Sequence, residues 1–333
     1  MSGRLQWVGT DRWAVRECFY GAPSGHALPK NRNLGWTIFA TVILSFLGSA
    51  VLASAAVTIA TYNVENYLVA DRMVDGVYRD AYPKPENAKT ALRQVIKSVA
   101  PDILALQEMG TQLFLDELQR DLKSEGTDYP YALLLEAADP DRHVAMLSKI
   151  PFKKVSPHAA VPVLLMGKKD KVKRGVLEVS FDTNEGELTL FVIHLKSRRT
   201  EQDDDIEGVR QRQQEAEAVR DLILTRFPDP AKGRFILCGD WNDTRNSKPV
   251  RTLQKRGQTV LGEILRAADS RGEVWTHSYY KEDSYSRIDY FLLSSDLQRL
   301  VRGGRGKIYD GPGVAEASDH RPVVLTLNLD AMK

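Results

Sequence analysis

The sequence is poor in cysteine, in net charge and in repetition. Two cysteines occur in 333 residues, so no disulfide framework holds this chain together. Cys18 lies in the N-terminal stretch. Cys238 lies in the apolar run Phe235-Ile236-Leu237-Cys238, where a buried, inert thiol is expected. The formal charge of +2 is too close to zero for a protein that coats nucleic acid over its whole surface. No short-period repeat or low-complexity tract interrupts the chain. What is present is 43% hydrophobic and 27% charged residues, enough to bury a large core and incompatible with intrinsic disorder.

Charge is also missing locally. Leu34 to Ala60 carries none, and Lys30 and Arg32 stand just before it. Its apolar centre, Ile38 to Leu47, is followed by Gly48-Ser49-Ala50 and by Ala53-Ser54-Ala55. A basic stretch, an apolar stretch and an A-x-A site in that order make a secretory signal peptide, so residues 34–55 are expected to be cleaved. The alternative is an uncleaved membrane anchor, for which the run is long enough. Residues 1–33 are too long and too polar for the leading part of a signal, so this extension is doubtful and translation is expected to start near Leu28. Five basic and two acidic residues precede Ala56, leaving 41 basic against 42 acidic in residues 56–333. The folded part is thus expected to be exported, periplasmic or secreted, monomeric, and close to neutral.

That part alternates strands and helices. Val57–Tyr62 is rich in β-branched residues and reads as a strand. Over 86–100, Ala88, Ala91, Leu92, Val95, Ile96 and Val99 keep helical spacing, and Pro101 ends the helix. A buried strand over 102–107, a helix over 111–124 and a strand over 144–148 follow. Val176–Phe181 and Leu188–Leu195 are strands joined by the turn residues 182–186. A charged helix of roughly two dozen residues should run to Phe227, where Pro228 and Pro230 stop it. Strands over 235–238, 288–293 and 323–329 complete the series. Strands joined both by hairpins and by helices imply mixed sheets in an α/β fold.

Polar residues collect at the ends of these strands. Asn63, Glu108 and His194 each close one, and Asp240 and Asn242 follow another. Asp289 opens a strand, and Asp319-His320 precedes the last. If the last two strands run opposite to the rest, all these groups meet at one edge. Any one of them alone is ordinarily a turn or capping residue; the set is not. Glu108 with an amide and further oxygens suits a hard cation such as Mg²⁺. A histidine backed by a carboxylate can act as general base or be held cationic against phosphate, and Asp289 is a plausible orienting partner for His320.

Seven ordered motifs carry a family resemblance. They are Tyr62-Asn63-Val64-Glu65-Asn66, Pro101 to Glu108, Ala145-Met146-Leu147-Ser148, Ile193-His194-Leu195-Lys196-Ser197, Gly239-Asp240-Trp241-Asn242-Asp243, Ser286-Arg287-Ile288-Asp289-Tyr290 and Ser318-Asp319-His320-Arg321-Pro322. In this order they resemble the endonuclease/exonuclease/phosphatase superfamily, the DNase I-like fold, in its exported bacterial type. The resemblance implies a four-layer α/β/β/α sandwich and metal-dependent phosphoester hydrolysis. It makes Glu108 the principal metal ligand, with Asn63 and Asp319 beside it, and Mg²⁺ the expected ion, with Mn²⁺ or Ca²⁺ as alternatives. It makes His320 the general base positioned by Asp289, Asp240 the group that orients or activates the attacking water, and Asn242 and His194 the contacts to the scissile phosphate. His194-Leu195-Lys196-Ser197 departs from the tyrosine-containing motif of the abasic-site repair enzymes, which argues against DNA repair.

Substrate is less legible. Lys168, Lys169, Lys171, Lys173 and Arg174 crowd one segment, with Lys196, Arg198 and Arg199 after His194. This reads either as a landing strip for a polyanion or as a solvated hairpin loop balanced by Asp203-Asp204-Asp205. Arg174 and Lys196 are the candidate substrate contacts; Trp241 and Tyr290 are more often core residues. Nucleic acid is the expected partner. The alternatives are a lipid-headgroup or small-ester phosphodiesterase, sphingomyelinase-like, for which 162–166 is the candidate membrane loop, and a non-catalytic binding module.

Overall fold

The computed structural model describes residues 56–199 and 205–329. The expected extension, 1–33, and the signal or anchor, 34–55, lie outside the described residues. Among the described residues no helix is long and apolar enough to cross a membrane.

Two mixed sheets pack face to face. One has seven strands in the order Ala267–Ala268, Gly306–Ile308, Val323–Asn328, Ala56–Tyr67, Ile103–Met109, His143–Ser148 and Tyr131–Leu135. The other has six, ordered Glu263–Ile264, Asp289–Leu293, Phe235–Asp240, Gly186–His194, Val176–Thr183 and Lys154–His158. Alternation along each strand builds the layers. Val57 and Ile59 point into the core shared with Leu190, Val192, Ile236 and Phe291 of the other sheet. Ala60 and Tyr62 point the other way, onto Leu92, Val95 and Ile96 of helix Glu86–Val99 and Leu115 and Leu118 of helix Gln112–Ser124. Likewise Phe191 and Ile193 face Ala216, Val219 and Ile223 of helix Val209–Arg226. Both faces of each central strand are covered, which is why they read as unbroken apolar runs. The four-layer α/β/β/α sandwich is present.

Strand polarity decides where the strand ends fall. Ala56–Tyr67 runs parallel to Ile103–Met109 and antiparallel to Val323–Asn328. Gly186–His194 runs parallel to Phe235–Asp240, which is antiparallel to Asp289–Leu293. The last strand of each sheet therefore returns, and its first residues meet the last residues of its neighbours.

Two expectations need correction. The helix before Phe227 has 18 residues, Val209–Arg226, not two dozen. Glu207 and Gly208 take left-handed φ of 56° and 61°, which an α-helix cannot continue through, and a charged stretch gives no periodicity to reveal that break. Asp205 does not balance the lysines; it caps this helix, accepting from the N–H groups of Arg210 (2.7 Å) and Gln211 (3.0 Å). The sequence gives no sign of hairpin Val69–Val74/Val77–Pro83: 77–83 is exposed throughout, and the half-buried face of 69–74, Ala70, Arg72 and Val74, does not alternate apolar with polar.

Gly239 is a point of close approach. Its φ is +137°, and a Cβ there would lie 1.9 Å from the carbonyl oxygen of Ile193 on the parallel neighbour. Gly239→Ala is expected to destabilise the fold by about 3 kcal/mol, because the obstacle is backbone that cannot swing away. A urea midpoint unchanged from the parent would refute this reading of the 193/239 contact.

Candidate active site

The first sheet delivers Asn63 and Glu108 through paired irregularities. Register between their two strands shifts after Asn63/Gln107, and Glu65, Asn66 and Glu108 all have left-handed φ, 46°, 51° and 61°. Such bulges at a sheet edge turn side chains out of the regular alternation, and non-glycine residues hold the conformation only where neighbours enforce it. Here they do. Glu108 Oε2 accepts from the Asn66 N–H at 2.9 Å, and Asn63 Oδ1 accepts from the Glu65 N–H at 2.9 Å.

The second sheet contributes His194, Asp240 and Asn242. The Asn63 amide nitrogen spans the sheets, donating to Glu108 Oε1 (3.2 Å) and Asp240 Oδ2 (3.0 Å). Asp240 also accepts from the Asn242 backbone N–H (2.8 Å) and side-chain amide (3.2 Å). Asn242, itself left-handed at φ 53°, donates to the Leu195 carbonyl at 2.9 Å. His194 Nε2 is 3.6 Å from Asp240 Oδ2 and 4.0 Å from Glu108 Oε1. Both of its ring nitrogens are buried without a hydrogen-bond partner, the mark of a group waiting for one.

The returning strands bring the rest. His320 Nδ1 lies 2.9 Å from Asp289 Oδ2, and its Nε2 is 3.9 Å from both Asp240 Oδ2 and Asp319 Oδ1. Thr276 Oγ1 accepts from the N–H groups of Ile288 and Asp289, each at 3.1 Å, which fixes the start of that strand. Ser318 Oγ donates to the Asn63 carbonyl (2.8 Å) and accepts from the His320 N–H (3.0 Å), stitching the last loop to the first strand. All eight residues expected from the strand ends thus lie together.

The electrostatics follow from burial among carboxylates. Burial, then the charge of Asp289, pushes Asp240 up to about 7. Burial opposes the His320 cation, but Asp289, Asp240 and Asp319 outweigh it and hold His320 well above the usual imidazole value. His194 is held well below that value by burial and by the Arg174 and His320 charges, so it is neutral. Asp319 stays low despite burial because the imidazoles of His277 and His320 favour its anion.

The two cationic candidates differ. Arg174 is buried with its Nε 2.8 Å from Asp139 Oδ2, while its Nη1 has no hydrogen-bond partner. Lys196 has its ammonium held by the carbonyls of Ser197 (3.2 Å) and Arg199. Its backbone N–H instead reaches the buried Glu215 carboxylate at 2.7 Å. Trp241 and Tyr290 are fully buried and stack at 4.9 Å between ring centroids, so they are core. Cys238 is likewise a buried free thiol. Three neighbours of the site were not anticipated. Arg142 donates to Asn66 Oδ1 at 2.8 Å, Lys84 to the Glu65 carbonyl at 3.1 Å, and His277 lies against Asp319 and His320. Only His277 left a trace in the sequence, as a polar residue among aromatics just before the Asp289 motif.

The family profile described as Endonuclease/Exonuclease/phosphatase matches residues 60–320. The chain belongs to that family. Members of the family are phosphoesterases. No curated protein sequence matches the chain significantly. Among solved structures, a double mutant of Staphylococcus aureus beta toxin with bound magnesium ions is similar in fold, with TM-score 0.57 and 14% identity over 81% of this chain and 99% of that one. The human Nocturnin catalytic domain with bound sulfate has TM-score 0.56 and 17% identity, covering 84% and 95%. Sphingomyelinase C from Streptomyces griseocarneus has TM-score 0.54 and 15% identity, covering 82% and 99%. At these identities the likeness is one of fold.

Proposed function

We propose that this protein is an exported, divalent-metal-dependent phosphodiesterase that acts on nucleic acid. The observation that carries the reading is the contact chain from Glu108 through His194, Asp240 and His320 to Asp319, each step 3.6–4.0 Å. Glu108 and Asp319 would hold Mg²⁺ or Mn²⁺ through carboxylate oxygens, and Asn63 would join them once its amide turns, since its nitrogen now faces Glu108 and its oxygen the Glu65 N–H. Bound there, such a cation polarises the phosphoryl oxygen and offsets its developing charge. The chain's own groups do the rest. Neutral His194 donates to a non-bridging phosphate oxygen, and Asn242 holds the Asp240 side of the cleft. Asp240 orients the water for in-line attack, and the water's proton passes to His320, whose Nδ1 is pinned by Asp289. The buried Arg174, with a free Nη1, faces the substrate anion.

Two hairpins adjoin segments that carry site residues in the chain. One, Pro162–Leu165/Lys168–Lys171, leads into Arg174 and carries exposed Lys168, Lys169 and Lys171; among the described residues none of the three forms an ion pair. That favours a polyanion. The same hairpin exposes Leu164 and Met166, and hairpin 69–83 exposes Val69, Met73, Val77 and Tyr78. Exposed apolar residues of that kind favour a second reading, hydrolysis of a lipid headgroup ester at a membrane surface.

Purified protein with Mg²⁺ or Mn²⁺, offered plasmid DNA, RNA, sphingomyelin vesicles and a generic phosphodiester, tests both. Nucleic-acid cleavage abolished by EDTA supports the first reading; cleavage of sphingomyelin alone supports the second. Activity indifferent to EDTA would sink both. Glu108→Gln is expected to raise the Mg²⁺ concentration for half-maximal rate by at least about tenfold. N-terminal sequencing of the exported protein should begin at Ala56 if residues 34–55 are cleaved.

A further inference from the structure

His277 has no part in the chemistry above, yet it is built into the site. Backbone bonds on both sides clamp it to the last loop: Arg321 N–H to the Thr276 carbonyl at 2.7 Å, and Ser278 N–H to the Asp319 carbonyl at 2.9 Å. Its ring lies 4.7 Å from that of His320, and its Nε2 is 3.6 Å from Asp319 Oδ2. One nitrogen from each histidine and one Asp319 oxygen fall within 4.8 Å of one another. The contact of His277 to Asp319, at 3.6 Å, is longer than an ordinary hydrogen bond. Side-chain exposure of 21% for His277 and 38% for Asp319 leaves the group open to solvent.

The donor set differs in kind from the one assigned to catalysis. Glu108, Asn63 and Asp319 offer oxygen, which suits Mg²⁺. Two imidazoles and a carboxylate with an open side suit a borderline ion such as Zn²⁺, which takes nitrogen ligands in preference and needs only three from the protein. A plain ion pair explains the geometry less well. A carboxylate between two imidazoles would ordinarily draw at least one into hydrogen-bond distance, and here both remain beyond it.

We infer that His277, Asp319 and His320 form a Zn²⁺-class site beside the catalytic centre, and that its occupancy inhibits hydrolysis by taking the His320 nitrogen that accepts the water's proton. The inhibitory half rests on the proposed reaction; the binding half does not.

Calorimetric titration of the full chain with Zn²⁺ under saturating Mg²⁺ tests the binding. His277→Ala is expected to weaken the Zn²⁺ isotherm by at least about tenfold, the lower range for disturbing even an outer partner of a metal ligand. His277→Gln, which keeps a polar side chain of similar reach, should weaken it as well. Relative to each variant's own Mg²⁺-dependent rate, inhibition by Zn²⁺ should weaken by a similar factor. An unchanged isotherm in both variants would overturn the site, whether or not the protein hydrolyses any phosphoester. Weakened binding with undiminished Zn²⁺ inhibition would overturn the inhibitory half.

Discussion

His320→Ala is expected to lower phosphodiester hydrolysis by about 10²- to 10⁴-fold while leaving the circular dichroism spectrum unchanged. The ring sits at a strand entry beside three carboxylates, its Nδ1 held by Asp289 and its Nε2 left toward Asp240 and Asp319. Asp289→Asn provides the more discriminating measurement. The 2.9 Å contact to His320 Nδ1 fixes the tautomer that leaves Nε2 facing the cleft, and the Asp289 charge is the largest influence raising the imidazole. Removing that charge lowers the His320 pKa. A base is active only when unprotonated, so the acidic limb of the pH–rate profile should move to lower pH in Asp289→Asn while the plateau falls. His320→Ala with more than about a tenth of parental activity would refute the assignment, given the minimum expected of a general base. An acidic limb that stays put in Asp289→Asn would refute the pairing.

That pairing was legible in the sequence for a physical reason. A strand buried on both faces has no freedom in where it ends, so the first polar residue after Ile103–Gln107 or Leu188–Ile193 marks the sheet edge. Once the final strands return antiparallel, Asp289 and Asp319-His320 must meet the others. What the sequence hid depends on contacts across long separations or on elements with no buried face. Hairpin 69–83 exposes most of its residues on both sides, so no period of two survives to identify it. Lys196 stands beside His194 in the motif, yet its ammonium turns onto the carbonyls of Ser197 and Arg199, a choice made by the local loop. His277 reaches the site only because Ser278 and Thr276 bond to a loop more than 40 residues away. Nor do the left-handed conformations of Glu65 and Glu108 follow from their residue type, since glutamate is uncommon there, whereas Asn66 is of a type that tolerates it. They arise where two strands bulge together to aim Glu108 at Asn63 and His194.

Concentrated carboxylates give the site its chemistry and make it costly to fold. Asp240, buried and up to about 7, is the clearest case, and Asp240→Asn should reveal both sides. Catalytically, the variant is expected to lose about 10²- to 10⁴-fold, comparable to His320→Ala. Asp240 Oδ2 accepts from the Asn63 and Asn242 amides at 3.0 and 3.2 Å. An asparagine nitrogen in its place would meet two donors, so the amides that align the cleft would turn. For stability the sign is fixed by linkage. An aspartate at its ordinary value, about 4, is ionised in the unfolded chain above that pH. The folded form keeps its proton up to about 7. Between those limits the folded state holds the extra proton, so stability falls as pH rises, by at most about 1.4 kcal/mol per pH unit for this one group. His320, also raised, adds a decline of the same sign as pH passes its folded pKa. Measured in EDTA, the urea midpoint of the parent should therefore drop between about pH 4 and about pH 7, and Asp240→Asn should flatten that slope. Divalent metal should raise the parent's midpoint more at the alkaline end, where the carboxylates are charged and available as ligands. A parental slope retained in Asp240→Asn would show that the buried proton sits elsewhere in the cluster.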